Sequence, residues 1–437
     1  MTATSTPTVE IRAGDLKPAL SGLGKLIPRK TSLPVLGCVK VEPAGAGRAR
    51  LTATDLDLSL SVEIPARIAK GAEPFLVPLA RLRESVAERR SGETVPLGPS
   101  TKAPPATEFP ELSRIRTPGL TLPEPAVTSL LRAFACASQD FTRAVLRGAC
   151  IDTDGTGEKA HRIVGTNGRC LYSGNSLRLP LKHPVILPDH PLWRWKPLAD
   201  SRPWTLRLGK DGQQTKIFRL EGPSWTVTGC PLDGPYPNYR QVIPKPEQLP
   251  TKATLRDEAL EAVARLLPRL PGKDLANRPV GLHFERGRFG LLARDGNNGP
   301  WVLHPVDLCG MQGPDATVFV DREILAKAAA FGLNRIELGE GTMPMQFRKG
   351  SDLLVAMPVR VADPVRIERP RLAPAVEQSA PPPSPKPRPM PAPLPPKPVD
   401  PLAEARQQVA EADEAILTVR RTLKGVRRSL HAARTQR

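Results

Sequence analysis

RKTSLPVLGCVKVE, residues 29–42, places two cations, Arg29 and Lys30, directly before an apolar run. Read as a strand, the run puts Val35, Gly37, Val39 and Val41 on one face, and Lys40 and Glu42 on the other. Pro34 has no N–H to give a ladder, so it belongs among the strand's first residues. Before this stretch, LKPALSGLGKL (16–26) has helical spacing; after it, LTATDLDLSL (51–60) alternates again and carries a small polar knot at Asp55.

The same order returns twice. VTSLLRAFACAS (127–138) leads through VLRGACIDTD (145–154) to RIVGTNGRCLY (162–172). LEAVARLLPRL (260–270) leads through PVGLHFERG (279–287) to FGLLARDGNNG (289–299). Asp55, Asn167 and Asp295 occupy equivalent places, a domain apart rather than a solenoid repeat apart. A second helix is expected after each knot, in VPLARLRESVAERR (77–90), LPDHPLWRWKPLAD (187–200) and VDREILAKAAAFG (320–332). The pattern favours three similar α+β domains built on antiparallel sheets.

The 437 residues carry a net charge of +19, which favours a polyanion such as nucleic acid, or an acidic membrane surface, as partner. Aromatic residues make up only 4%, so stacking of bases on aromatic platforms is not the expected mode. Six cysteines are scattered without a C-x-x-C pair, and the histidines do not cluster near them, so neither a zinc site nor any other metal is expected. P-loop, G-x-S-x-G and H-E-x-x-H motifs are absent, and GPSTK (98–102) is too short to cradle phosphate. No catalysis and no cofactor are expected. The N-terminus lacks an apolar signal region and no run of 18 apolar residues occurs, so a cytoplasmic protein without a membrane association is expected.

Composition changes sharply near residue 368. Between Pro370 and Pro401 the chain is dominated by proline (PPPSPKPRPMPAPLPPKP), which reads as an extended linker. Beyond it, Leu402, Val409, Ile416, Leu423 and Leu430 recur every seven residues. Ala405, Ala412, Val419, Val426 and Ala433 follow three positions later, an a/d heptad pattern of a coiled coil. Its second half, RRTLKGVRRSLHAARTQR, is strongly basic, so a phosphate-binding helix competes with self-association.

Four stretches resemble the bacterial sliding clamp, the beta subunit of DNA polymerase III. They are RKTSLPVLG, LTATDLDL, GPYPNYRQVIP (234–244) and LLVAMPVRV (353–361), in the family's order and spanning about 8 to 361. The resemblance implies three tandem clamp domains, at 8–123, 124–247 and 248–367, with sheets outside and helices lining a DNA-sized hole. The linker (368–401) and basic heptad helix (402–437) are additions. It implies a homodimeric ring around duplex DNA that tethers DNA polymerase III, meets a clamp loader, and receives other proteins carrying short clamp-binding motifs. A closed ring and a non-closing clamp-derived scaffold both remain open.

The resemblance also implies sites. Arg29 and Lys30 would meet backbone phosphates, as a sliding contact must attract phosphate without reading bases. Gln139 and Arg143 fall where the family also approaches DNA. Leu146, Thr166, Gly168, Leu171, Pro237, Val242, Val355, Met357, Pro358, Val359 and Arg360 match a cleft for partner peptides. Departures accompany these matches. Thr-Asn-Gly-Arg-Cys-Leu (166–171) stands where the family usually has Thr-Asp-Gly-His-Arg-Leu, and Gln241 and Glu323 replace an arginine and an aromatic. After GETVPL the family pattern has two more strands, one of which pairs with the neighbouring subunit. This chain has only GPSTKAPPA (98–106) before TEFPEL.

Overall fold

The computed structural model describes residues 8–368, apart from 29, 46, 112–114, 154–160, 212–213, 307–309 and 362–364. The expected linker and heptad helix, like Arg29, lie outside the described residues.

The chain opens with β1 (Val9–Arg12), α1 (Ala13–Leu23), β2 (Cys38–Pro43), β3 (Arg48–Thr54), β4 (Leu58–Ile68), β5 (Phe75–Pro78), α2 (Leu79–Ala87) and β6 (Thr94–Leu97). It continues with β7 (Leu120–Leu122), α3 (Glu124–Cys136), β8 (Gly148–Asp152), β9 (His161–Thr166), β10 (Cys170–Leu177) and β11 (Val185–Pro188). Next come α4 (Lys196–Ala199), β12 (Trp204–Asp211), β13 (Gln214–Glu221) and β14 (Trp225–Gly229). The last part holds β15 (Thr251–Thr254), α5 (Asp257–Leu266), β16 (Pro279–Glu285), β17 (Arg288–Ala293), β18 (Trp301–Val306), β19 (Gly310–Gln312) and β20 (Ala316–Asp321). It closes with α6 (Arg322–Ala330), β21 (Arg335–Leu338), β22 (Met345–Lys349), β23 (Asp352–Ala356) and β24 (Ile367–Glu368).

The strand orders expose the repeat. Three sheets each contain the same four-strand run, β5-β2-β3-β4, β11-β8-β9-β10 and β20-β16-β17-β18. In two of them the run continues into a second meander: β4 joins β14-β13-β12-β7, and β10 joins β23-β22-β21-β15-β19. Both junctions are antiparallel, Trp225↔Val62 to Gly229↔Leu58 and Cys170↔Ala356 to Gly174↔Asp352. In the third, among the described residues, β18 is followed by the two-residue β24, in parallel.

Helices cover the sheets with apolar stripes at helical spacing: Leu16, Ala19, Leu20 and Leu23 on α1, and Ala126, Val127, Leu130 and Ala133 on α3, all buried. One close approach joins the first two repeats. Trp195 Nε1 donates to Pro18 O at 2.9 Å, and its ring lies so near Gly22 that a Cβ there would stand 2.6 Å from it. Only glycine permits that seat.

Two expectations are corrected. Residues Pro34–Gly37 form a short helical turn, and the strand begins at Cys38. Pro34 sits in the first turn, where its fixed φ suits a helix and its missing N–H costs nothing. Val35 and Leu36 therefore leave the strand face and pack with Cys38, Leu76 and Phe109 in a cluster separate from the main core that holds Val39 and Val41. The second correction concerns 187–200, which is no continuous helix. β11 runs to Pro188, a turn covers Pro191–Arg194, and α4 has four residues. Pro191 and Pro197 each need a helix N-terminus, and each restarts the backbone. Between β6 and β7, the described residues of 98–119 contain no strand.

Candidate functional site

The polar knots of the first two repeats are built alike. Thr54 Oγ1 donates to Leu58 O (2.8 Å) and accepts from Leu56 N (3.0 Å), while Asp55 Oδ1 accepts from Asp57 N and Leu58 N. Thr166 Oγ1 donates to Cys170 O (2.6 Å) and accepts from Gly168 N (3.1 Å), while Asn167 Oδ1 accepts from Arg169 N and Cys170 N. An Asx side chain folding over its own backbone needs no metal to hold a tight corner. In the third repeat the residue after Asp295 is again left-handed, Gly296 at φ 64°.

The second knot forms one wall of the candidate cleft. Leu171 pairs with Val355 across the β10–β23 junction, and Met357 N donates to Arg169 O at 2.9 Å. This brings Thr166, Gly168, Leu171, Val355 and Met357 to one corner. Leu171 and Val355 are not lining side chains in the free chain: each is 3% exposed, in a cluster with Val164, Tyr239 and Leu353. Met357, just after β23, is 43% exposed, and Val242, beside Ile243 of the same cluster, is 50% exposed. Pro237, Arg360 and Gly168 are exposed, Pro358 half-buried and Leu146 buried. Val359 leaves the group. Its N–H donates to Phe319 O and it packs on the third sheet with Leu292 and Trp301.

Sequence reading missed the residues that hold this corner. Tyr239 Oη and Arg240 Nη2 both donate to Asp152 Oδ2 at 2.6 Å, and Gln346 Nε2 donates to Pro244 O at 2.7 Å. Burial, then the Asp152 hydrogen bond, raises the Tyr239 phenol above its ordinary range. Tyr236 and Ile243 pack on the same cluster. The signal was present in PYPNYRQVIP, whose two tyrosines lie three residues apart, T-shaped at 6.4 Å between rings.

Of the residues proposed for DNA, Lys30 is exposed just before the turn at Pro34. Gln139 is exposed but engaged, donating to Asp189 Oδ2 at 3.0 Å. Arg143 lies 3.8 Å from Asp140, and its guanidinium leans over Gly168, where an added Cβ would come within 2.8 Å. Arg143 thus borders the knot of the peptide corner. Nearby, His190 Nδ1 accepts from Leu192 N at 3.1 Å and its Nε2 lies 3.7 Å from Asp55. Burial pushes its pKa down to about 4, so the ring is neutral at neutral pH.

Among the described residues no group of three or more His, Cys, Asp or Glu is placed to hold a metal ion, and no helix is long and apolar enough to cross a membrane. Cys150 is buried and its thiol is raised to about 12 by desolvation, beyond use as a nucleophile at neutral pH.

No protein-family model matches the chain, and no curated protein is significantly similar to it in sequence. Solved structures are similar throughout the body. A DNA polymerase sliding clamp from Bacillus subtilis aligns with TM-score 0.65 at 17% identity, covering 82% of this chain and 100% of its own. The beta subunit of DNA polymerase from Streptococcus pyogenes gives 0.66 at 16%, covering 81% and 100%. A sliding clamp from Bartonella birtlesii, bound to griselimycin, gives 0.66 at 20%, covering 81% and 100%. At these identities the likeness establishes the fold: this chain has the architecture of bacterial DNA polymerase III beta sliding clamps, in a divergent sequence.

Proposed function

We propose that the chain is a non-catalytic processivity factor, holding DNA polymerase III and other carriers of short clamp-binding motifs on duplex DNA in the cytoplasm, placed there by a clamp loader. The clamp architecture over the whole body supports this reading, as do the net positive charge and the four motif stretches. The single observation that carries the tethering role is the corner at the β10–β23 junction. There a buried apolar floor (Leu171, Val355, Tyr239) is flanked in the chain by two exposed apolar side chains, Val242 and Met357. A short peptide with apolar anchors suits such a place. The domain limits 8–123, 124–247 and 248–367 belong to this proposal.

Lys30 and Arg143, with Arg29 and Gln139, are the proposed phosphate contacts. Fluorescence anisotropy on duplex DNA tests them: Lys30→Ala with Arg143→Ala should weaken all sequences alike and lower the dependence of log affinity on log salt by about 1 to 2. Unequal losses on different sequences, or none, count against the assignment.

Two forms of the tether stand beside each other, a homodimer encircling DNA and a non-closing scaffold. The absence of strands among the described residues of 98–119 favours the second wherever closure depends on sheet pairing. Association through the heptad helix at 402–437 would supply a dimer by another route. Light scattering on a chain lacking residues 368–437 decides this, since a deletion that stays fully dimeric excludes the tail as the clasp.

A further inference from the structure

Each four-strand run ends on a strand that needs a neighbour. β4 takes β14, and β10 takes β23, each over five antiparallel residue pairs. Both neighbours are the last strand of the meander belonging to the following repeat. Applied once more, the rule gives β18 a last strand from a first repeat, which only a second copy could offer. This chain has lost it: after β6 the described residues 98–119 hold no strand. Two ends of the tandem are therefore left with sheet edges.

The chain itself obstructs β6, and covers β18 at its first two residues, Trp301 and Val302. On β6, Glu93 O accepts from Ala13 N and Leu97 O from Thr8 N, so the alternation turns Thr94 and Pro96 away from β1. The outward carbonyl of Thr94 accepts from Arg89 Nη1 at 2.6 Å, and Pro96 has no N–H to offer. A proline and a charged side chain on an outer edge are the ordinary means of refusing another strand. On β18, Trp301 and Val302 pair with Ile367 and Glu368, and Trp301 N donates to Arg366 O at 2.8 Å. The segment leading there is anchored by Val359 N to Phe319 O, and Val359, Val361, Val365 and Ile367 cover Leu292, Trp301 and Phe319.

We infer that residues 365–368 are a resident strand of the β18 edge, occupying the place the repeat reserves for a second copy, so that copies of this chain do not join through their sheets. The inference rests on sheet topology and holds whether or not the chain binds DNA. It confines any association to surfaces other than β6 and β18, and lifting the resident strand uncovers an edge that pairs with the β18 of another copy.

Hydrogen exchange read by mass spectrometry, with sedimentation velocity, tests this on the full chain and on Ile367→Asp. In the parent the Trp301 amide exchanges slowly. In the variant it exchanges about tenfold faster or more, and species heavier than any of the parent's appear. Since both proteins keep residues 402–437, association through the tail contributes equally to each. Val365→Ser, a milder release, shows the same changes in smaller measure and covers the case in which Ile367→Asp misfolds. A parent Trp301 amide that exchanges as fast as the variant's overturns the inference. So does a folded variant whose mass distribution matches the parent's.

Discussion

Leu56 and Gly168 occupy the same position in successive repeats, at φ 83° and 82°, each the residue after the Asx of its knot. The left-handed conformation suits glycine and strains leucine by about 1–2 kcal/mol. Leu56 is 57% exposed, so its side chain returns little by packing. Leu56→Gly should therefore stabilise the first repeat by up to about 1 kcal/mol, after the greater chain entropy of glycine is set against the relieved strain. Thermal unfolding checks it, and a lower melting temperature than the parent's contradicts it.

The peptide corner separates floor from grip. Met357→Ala and Val242→Ala remove exposed apolar groups and should abolish capture of a clamp-binding peptide with the melting temperature nearly unchanged. Leu171→Ala empties a buried site and should cost about 2–5 kcal/mol of stability. Titration calorimetry beside thermal unfolding distinguishes them. If Leu171→Ala melts like the parent, the floor is not packed as described.

His190 gives the fold an acid-sensitive seam. Its folded pKa, about 4, lies below the ordinary 6.5, so the neutral ring is the folded form. The stability it contributes is present above pH 6.5 and is lost as pH falls toward about 4, by up to about 3 kcal/mol. Burial raises Asp189 and Asp55 beside it, and these oppose the trend in part, because they favour protonation. Lys25 pushes the ring further down. His190→Gln, which keeps an acceptor for Leu192 N, should flatten the acid side of the stability profile. An unchanged acid slope in that variant rules out His190 as its source.

The readable parts of this chain are those where local pattern and tertiary role coincide. β2 and β3 alternate because one face meets helices, and the Thr-Asx corners at 54–55 and 166–167 are self-contained, so the repeat shows in the residues. Of the tail stretch LLVAMPVRV only Leu353–Ala356 lie in a strand, β23, which is buried on both faces as an apolar run. Met357–Val361 follow it outside any strand. Less legible was what covers what. Leu171 and Val355 resemble cleft residues by position, but Tyr239 and Leu353 bury them, and burial by distant partners leaves no local mark. The turn at Pro34 and the broken 187–200 segment turned on where proline falls within a helix, which periodicity does not weigh. β24, two residues long, is set entirely by Trp301 and its neighbours. No propensity announces it.

The central claim, that this chain keeps a polymerase on its template, is tested most directly by product length in primer extension on primed single-stranded DNA. A DNA polymerase III core would be run with its clamp loader and a trap for dissociated enzyme. The account predicts products markedly longer with the chain than without it, and a return to the short distribution with Met357→Ala plus Val242→Ala. Products of equal length with and without the chain would contradict it.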